Sequence, residues 1–105
     1  MSSTVESGRA SEPHRFSFTG TVLRTLDFTG INLTEANLRQ ADARKTIFVR
    51  VNFLNADLTG ADLRGADLSG ARNLTVEQLQ SAVIDETTKL PEYIDCSRLT
   101  LAPAG

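Results

Sequence analysis

The sequence predicts an all-β fold in which the chain winds repeatedly around its own core, that is, a β-solenoid. The first observation is a period of five residues, because the stretch 56–70 reads ADLTG, ADLRG, ADLSG. The second is that five fits neither the 3.6-residue period of an amphipathic helix nor the alternation of a flat strand. The third is that the period extends over residues 16–70, and a repeat of this kind indicates stacked units.

Length and composition predict one small domain without a membrane or nucleic-acid partner. The chain has 105 residues, 40% of them hydrophobic, and a formal net charge of −2, which is too small to indicate a polyanionic partner. It contains no apolar run that could be a signal peptide or a membrane span. Its single cysteine, Cys96, excludes an intrachain disulfide and is typical of a reducing compartment. We therefore expect a cytoplasmic protein.

The repeat begins after a polar leader. Residues 1–15 are rich in Ser, Glu and Arg, so we predict a disordered N-terminal tail. From there on, one position in each quintet is a large apolar residue, and we predict that these side chains form the core. They are Phe18, Leu23, Phe28, Leu33, Leu38, Phe48, Phe53, Leu58, Leu63 and Leu68, with Ala43 as the exception.

The other quintet positions predict a short extended segment followed by a turn. Two residues before each core residue lies a small or apolar residue, which falls on the same side of an extended backbone. The residue between them is usually Asp or Asn, and the last two are mostly polar or Gly. Such residues suit a solvent-facing position and a turn, because Asp and Asn side chains readily accept hydrogen bonds from nearby backbone amides.

Four quintets in one frame, those that begin at Ala36, Ala56, Ala61 and Ala66, resemble the motif of the pentapeptide-repeat family. The resemblance implies a right-handed quadrilateral β-helix with four quintets, or twenty residues, in each coil. The segment 16–70 would then form about three coils, with neighbouring coils about 4.8 Å apart. In this arrangement Phe28 is predicted to lie over Phe48, and Phe48 over Leu68.

Residues 71–105 are predicted to form a C-terminal α-helical cap and a tail. Thr75 and Gln78 have the spacing of a capping box at the start of a helix, which we expect to continue to about Ile84 and to cover the last coil. A cover is needed because the end of a solenoid exposes unpaired strand edges. The segment 74–91 also resembles the flank that often follows bacterial pentapeptide repeats.

The residues suited to catalysis do not form a predicted active site. Asp57, Asp62 and Asp67 are five residues apart, so they fall on successive faces of a coil and point in different directions. His14 is the only histidine and lies in the tail, and Cys96 has no predicted catalytic partner. We therefore predict a non-enzymatic protein without a metal or cofactor.

The first candidate binding surface is a basic ladder, Arg24, Arg44 and Arg64, whose members are twenty residues apart. Two interpretations remain open at this point. The arginines could pair with Asp42 and Asp62 in a surface network of little energetic value, or they could dock an acidic partner.

The second candidate binding surface is apolar. Ile47, Val49 and Leu54 occupy positions that other quintets fill with Asp, Asn, Thr or Arg. Apolar residues grouped on a solvent-facing surface indicate an interface, although sequence drift without function would leave the same pattern.

The sequence therefore predicts a non-catalytic protein-interaction or scaffold module whose partner is an unknown protein or a second copy. The resemblance implies that a homodimer would form through the C-terminal end, as in longer family members. It also implies an alternative, a DNA mimic that modulates gyrase, a type II topoisomerase. Residues 16–70 contain six acidic and six basic side chains, which is a poor imitation of a polyanion.

Overall fold

The computed structural model describes residues 16–103, so the predicted N-terminal tail and His14 lie outside the described residues. Isolated parallel β-bridges, rather than longer strands, connect the chain to itself. Eight of them join residues that are twenty apart, as expected for a coil of four quintets. The bridged pairs are Ser17 with Asn37, Val22 with Asp42, Asp27 with Ile47, Asn32 with Asn52, Asn37 with Asp57, Asp42 with Asp62, Ile47 with Asp67, and Asn52 with Arg72.

Each quintet turns a corner of the coil with a tight backbone hydrogen bond. In the first coil, residues 16–35, the N–H of Thr21 donates to the carbonyl of Phe18 at 2.9 Å. The residue before the donor, Gly20, has φ +66°, as the third residue of a type II turn requires. In later quintets non-glycine residues adopt the same left-handed conformation; Thr25, Glu35, Gln40, Lys45, Arg50 and Asn55 have φ between 56° and 64°.

Thr25 carries the clearest backbone strain, because a β-branched residue at φ +64° is an outlier. Such strain costs on the order of 1–3 kcal/mol, whereas Asn tolerates the left-handed region. We therefore expect Thr25→Asn to stabilise the fold by about 0.5–1 kcal/mol and to raise Tm by about 2–8 °C. Thr19→Asn is the matched control, since Thr19 has no positive φ; equal Tm values for the two variants would contradict the explanation.

The core is a stack of side chains along the solenoid axis. Eight of the ten predicted core residues are buried, whereas Phe18 and Phe28 in the first coil are only partly buried and pack against the others. The rings of Phe28 and Phe48 stack with their centroids 5.5 Å apart and their planes 7° apart, so the predicted column is confirmed for these two residues. Phe48 in turn packs edge to face on Phe53 at 5.4 Å.

Backbone pairing continues beyond Gly70, the predicted end of the solenoid. Val83 bridges to Asp62 and Lys89 bridges to Asp67, with separations of 21 and 22 residues instead of 20. The first extra residue is accommodated where a short helix, α1 (Val76–Gln80), replaces one extended segment. The second lies between Val83 and Lys89, after the helix. A 3₁₀ helix, Cys96–Arg98, follows near the C-terminus.

Helix α1 is shorter than predicted but begins as predicted. The hydroxyl of Thr75 accepts from the N–H of Gln78, and the Gln78 side chain accepts from the N–H of Thr75 at 2.8 Å, which completes the capping box. The helix ends before Ser81 rather than near Ile84, because Ser81 returns to coil pairing: its carbonyl accepts from the N–H of Gly60 at 2.7 Å.

Buried side chains attach the C-terminal segment to the coils. Leu74, Leu79, Ile84 and Ile94 all belong to the buried core. The Gln78 amide adds polar contacts, since its Nε2 donates at 2.9 Å to the backbone carbonyls of Phe53 and Ala56. Within residues 16–103, no helix has the length and apolar character needed to cross a membrane.

Candidate functional site

The aspartates and asparagines of the quintets accept hydrogen bonds at the turns. In eight quintets the Oδ1 atom accepts from the N–H two residues later. At Asp57 the Thr59 hydroxyl also donates, at 2.6 Å, and is the main cause of a lowered pKa for this carboxyl group. No three Asp, Glu, His or Cys side chains within the described part of the chain are grouped to hold a metal ion.

The predicted basic ladder is a ladder of alternating charges. Arg24 and Arg44 each approach Asp42 at 3.0 Å, and Arg44 also lies 3.8 Å from Asp62. Arg64 donates to Asp62 at 2.6 Å. The Arg64 hydrogen bond is the main cause of a lowered pKa at Asp62, and it raises the pKa of Arg64. The arginines are therefore engaged in the surface network that was one of the two interpretations, and each exposed pair is worth little alone.

The three residues of the predicted apolar surface differ in exposure. Ile47 lies in a bridged column between Asp27 and Asp67, and both Ile47 and Val49 are only partly exposed. They belong to the middle coil, which has a paired coil on either side. Leu54 differs, because 43% of its surface is exposed. Of the three predicted residues, Leu54 is therefore the one that a partner could reach most easily.

Leu54 lines a cleft between the second and third coils and helix α1. The cleft has a volume of about 440 Å³. Leu54 is its main apolar residue, because the lining residues Ala56 and Leu58 are almost fully buried, and Asp57 and Glu77 give it an acidic part. The remaining lining residues are Asn55, Asn73, Thr75, Gln78 and Ser81. The sequence did not predict this cleft, because it depends on the insertion of helix α1 into the coil.

The sequence left open whether the N-terminal end of the solenoid, which begins at Phe16, is capped by residues 1–15 or forms a second interface. Three apolar side chains at this end are exposed. Phe16, Leu26 and Ile31 occupy inward positions of the first coil, yet they are 49%, 49% and 44% exposed. A signal was present, because the corresponding positions of the second coil carry the smaller residues Ala36, Thr46 and Val51, all of them buried. Large side chains at a normally small position are typical of a coil that has no neighbouring coil on one side, as is the case for the first coil within residues 16–103.

Comparison with solved structures places the fold among proteins of one family. The chain is similar to the pentapeptide repeat protein Rfr23 of the cyanobacterium Cyanothece 51142, with 25% identity and a TM-score of 0.63 over 70% of this chain and 50% of that one. It is also similar to a pentapeptide repeat protein of the Arabidopsis thaliana thylakoid lumen, with 27% identity and a TM-score of 0.56 over 87% of this chain and 68% of that one. The chain thus spans about half the length of Rfr23.

The sequence itself matches a family model. Pentapeptide repeats are found in eight copies over residues 15–40 and 36–72, which together cover more than half of the chain. No curated protein sequence matches it significantly. The family and its solved structures imply a right-handed quadrilateral β-helix, in agreement with the bridges between residues twenty apart. The chain belongs to the pentapeptide-repeat family.

Proposed function

We propose that this chain is a non-catalytic protein-interaction module that binds a partner protein through Leu54 and the adjoining cleft. The observation that supports this most directly is the exposed Leu54 side chain beside a concave surface of about 440 Å³. An apolar anchor within a polar rim is the usual anatomy of a protein interface. The surface is attached to a rigid, packed core, so it is already formed before a partner arrives.

The rim indicates what kind of partner segment would fit. Asp57 and Glu77 both line the cleft, and the hydrogen bond from Thr59 together with Arg39 at 3.2 Å keeps the pKa of Asp57 low, so its carboxylate stays ionised. Ionised carboxylates accept charge-assisted hydrogen bonds. A partner segment that combines an apolar side chain with a Lys or Arg would therefore suit the cleft.

The non-catalytic assignment is supported by how the acidic groups are used. Asp27, Asp57 and Asp67 each accept from a nearby turn, and their pKa values are lowered, first of all by the side-chain hydroxyls of Thr29, Thr59 and Ser69. A general acid or base at neutral pH needs a pKa near 7. The lowered values favour permanently ionised turn acceptors over proton donors.

Gyrase mimicry is the less favoured alternative. The ladder alternates in sign from Arg24 through Asp42, Arg44 and Asp62 to Arg64. Duplex DNA presents negative charge along its whole length, so this surface is a weak match. The cytoplasmic location and the homodimer through the C-terminal end remain predictions.

Affinity capture tests the proposed binding surface. The full chain, a Leu54→Asp variant and a Val83→Asp control would be immobilised and exposed to extract of the source cells. Val83 is a suitable control because it is also apolar and 38% exposed, and it does not line the cleft. We expect the wild type and the control to retain the same protein, and Leu54→Asp to retain at least about tenfold less, since a charge at an interface anchor costs over about 1.4 kcal/mol. Equal retention by all three, or no specific capture, would contradict the proposal.

A further inference from the structure

We infer that the N-terminal end of the solenoid is a self-association surface through which two copies of this chain pair end to end. This surface is the side of the first coil, residues 16–35, that pairs with no other coil among residues 16–103, and it lies apart from the Leu54 cleft. Its apolar part consists of Phe16, Leu26 and Ile31, which are close to half exposed. An aromatic side chain presents about 150–250 Å², so Phe16 alone exposes on the order of 100 Å².

The backbone at this end is also ready to pair. The middle residue of each face is the one between the two inward-facing residues of a quintet. In the second coil, this residue directs both of its backbone groups toward the first coil. The N–H of Asn37, for example, donates to the carbonyl of Phe16, and the Asn37 carbonyl accepts from the N–H of Phe18, both at 2.7 Å. The corresponding residues of the first coil direct the same two groups toward the free end. They have no backbone partner for these groups among residues 16–103; the residues are Ser17, Val22, Asp27 and Asn32.

A second copy, related by a twofold axis, satisfies these groups. Two N-terminal ends that face each other bring their strands together antiparallel, and a hydrogen-bonded antiparallel pair exchanges one N–H and one carbonyl from each residue. Each of the four middle residues offers both groups. The four middle residues of each copy would thus form four pairs with two hydrogen bonds each. Their total is close to the roughly ten hydrogen bonds of a typical interface.

The size of the surface also suits a dimer. A stable interface uses about 20–30 residues on each side, and one coil contributes twenty, residues 16–35. Dimerisation would also remove an exposed sheet edge, which proteins otherwise have to protect. The contact is isologous, so it closes after two copies and does not propagate into a filament.

Two other occupants fit less well. The preceding segment 1–15 is shorter than a twenty-residue coil, and its only hydrophobic residues are Met1, Val5 and Ala10. The C-terminal end of another copy does not offer four extended segments to pair with. Helix α1 replaces one of them, and among the residues that follow the helix only Val83 and Lys89 form bridges to the third coil.

Light scattering on a size-exclusion column tests the inference on the full chain. We expect a mass of twice 11.4 kDa for the wild type. The double variant Leu26→Asp, Ile31→Asp should be a monomer, because its dimer dissociation constant should rise by at least roughly 30-fold. Leu101→Asp is the matched control, because Leu101 is 46% exposed and lies in the C-terminal segment; it should remain a dimer. A monomeric wild type, or a dimer lost only in Leu101→Asp, would overturn the inference, and the second result would place the dimer at the C-terminal end.

Amide hydrogen exchange of the wild type provides a test that does not depend on a variant folding. Tenfold dilution across the protein concentrations at which the dimer dissociates should accelerate exchange at Val22 and Asp27. Their N–H groups would lose their intermolecular hydrogen bonds when the dimer dissociates. The N–H of Asn37 bonds within one copy, so its exchange should not change. Exchange at Val22 and Asp27 that is fast at every concentration would overturn the inference. Neither experiment involves the Leu54 cleft, so the inferred self-association and the proposed partner binding can be rejected independently of each other.

Discussion

Replacing Phe48 with Ala is expected to destabilise the fold by about 3–5 kcal/mol, the usual cost of a fully buried phenylalanine. Phe48 has no exposed surface; its ring stacks on Phe28 and packs edge to face on Phe53. Truncation would therefore remove two ring contacts and leave a cavity in the middle coil. Urea denaturation followed by circular dichroism measures the change. Because a domain of this size is only marginally stable, we expect a large fraction of the variant to be unfolded even without urea.

Phe16→Ala is the matched control for this substitution. It removes the same side chain from a position that is 49% exposed, and we expect less than about 1.5 kcal/mol when the comparison is made at a concentration where the wild type is monomeric. Equal losses for Phe48→Ala and Phe16→Ala would show that the axial phenylalanine stack is not the centre of the core.

Replacing Leu79 with Ala is expected to cost about 2–5 kcal/mol and to release helix α1. A helix of five residues cannot persist alone, so α1 depends on the burial of Leu79, its one fully buried residue. Loss of the helix should also weaken the pairing that follows it, at Ser81 and Val83. Chemical unfolding would report the energy, and proteolysis would report increased cleavage between residues 74 and 90.

Glu77→Ala is the control on the same helix, because Glu77 is exposed and lies in the first turn. Its favourable interaction with the helix N-terminus is worth less than about 1 kcal/mol. A stability loss for Leu79→Ala no larger than that for Glu77→Ala would mean that the C-terminal segment is not part of the cooperative fold.

The period of the sequence was sufficient to predict the repeated elements. A strict spacing of five determines which residues face inward, and the twenty-residue coil implied by the family resemblance places Phe28 over Phe48. The turn role of the aspartates was also predictable. An Asp that immediately precedes a core residue accepts a hydrogen bond from the backbone N–H only two residues later. These features depend only on local spacing, which the sequence displays directly.

Features that depend on neighbours along the axis could not be predicted in this way. The quintet pattern places Leu26 on the inward side of the backbone. Burial also requires a coil on each side, and within residues 16–103 the first coil has one on a single side. The partial burial of Ile47 has the opposite cause, since it lies between two coils. The continued pairing at Val83 and Lys89 was hidden because the register shifts by one residue at helix α1 and by one more between Val83 and Lys89.

The most direct test of the stacked coils is amide hydrogen exchange measured residue by residue on the full chain. If the coils stack as described, the N–H groups of Asn37, Asp42, Ile47 and Asn52, which donate to the first coil at 2.7–3.1 Å, should exchange slowly and with similar protection. The N–H of Val83, which donates to Ala61 at 2.8 Å, should be protected as well. Rapid exchange at these positions, or protection that follows another period, would contradict the twenty-residue coil and the surfaces inferred from it.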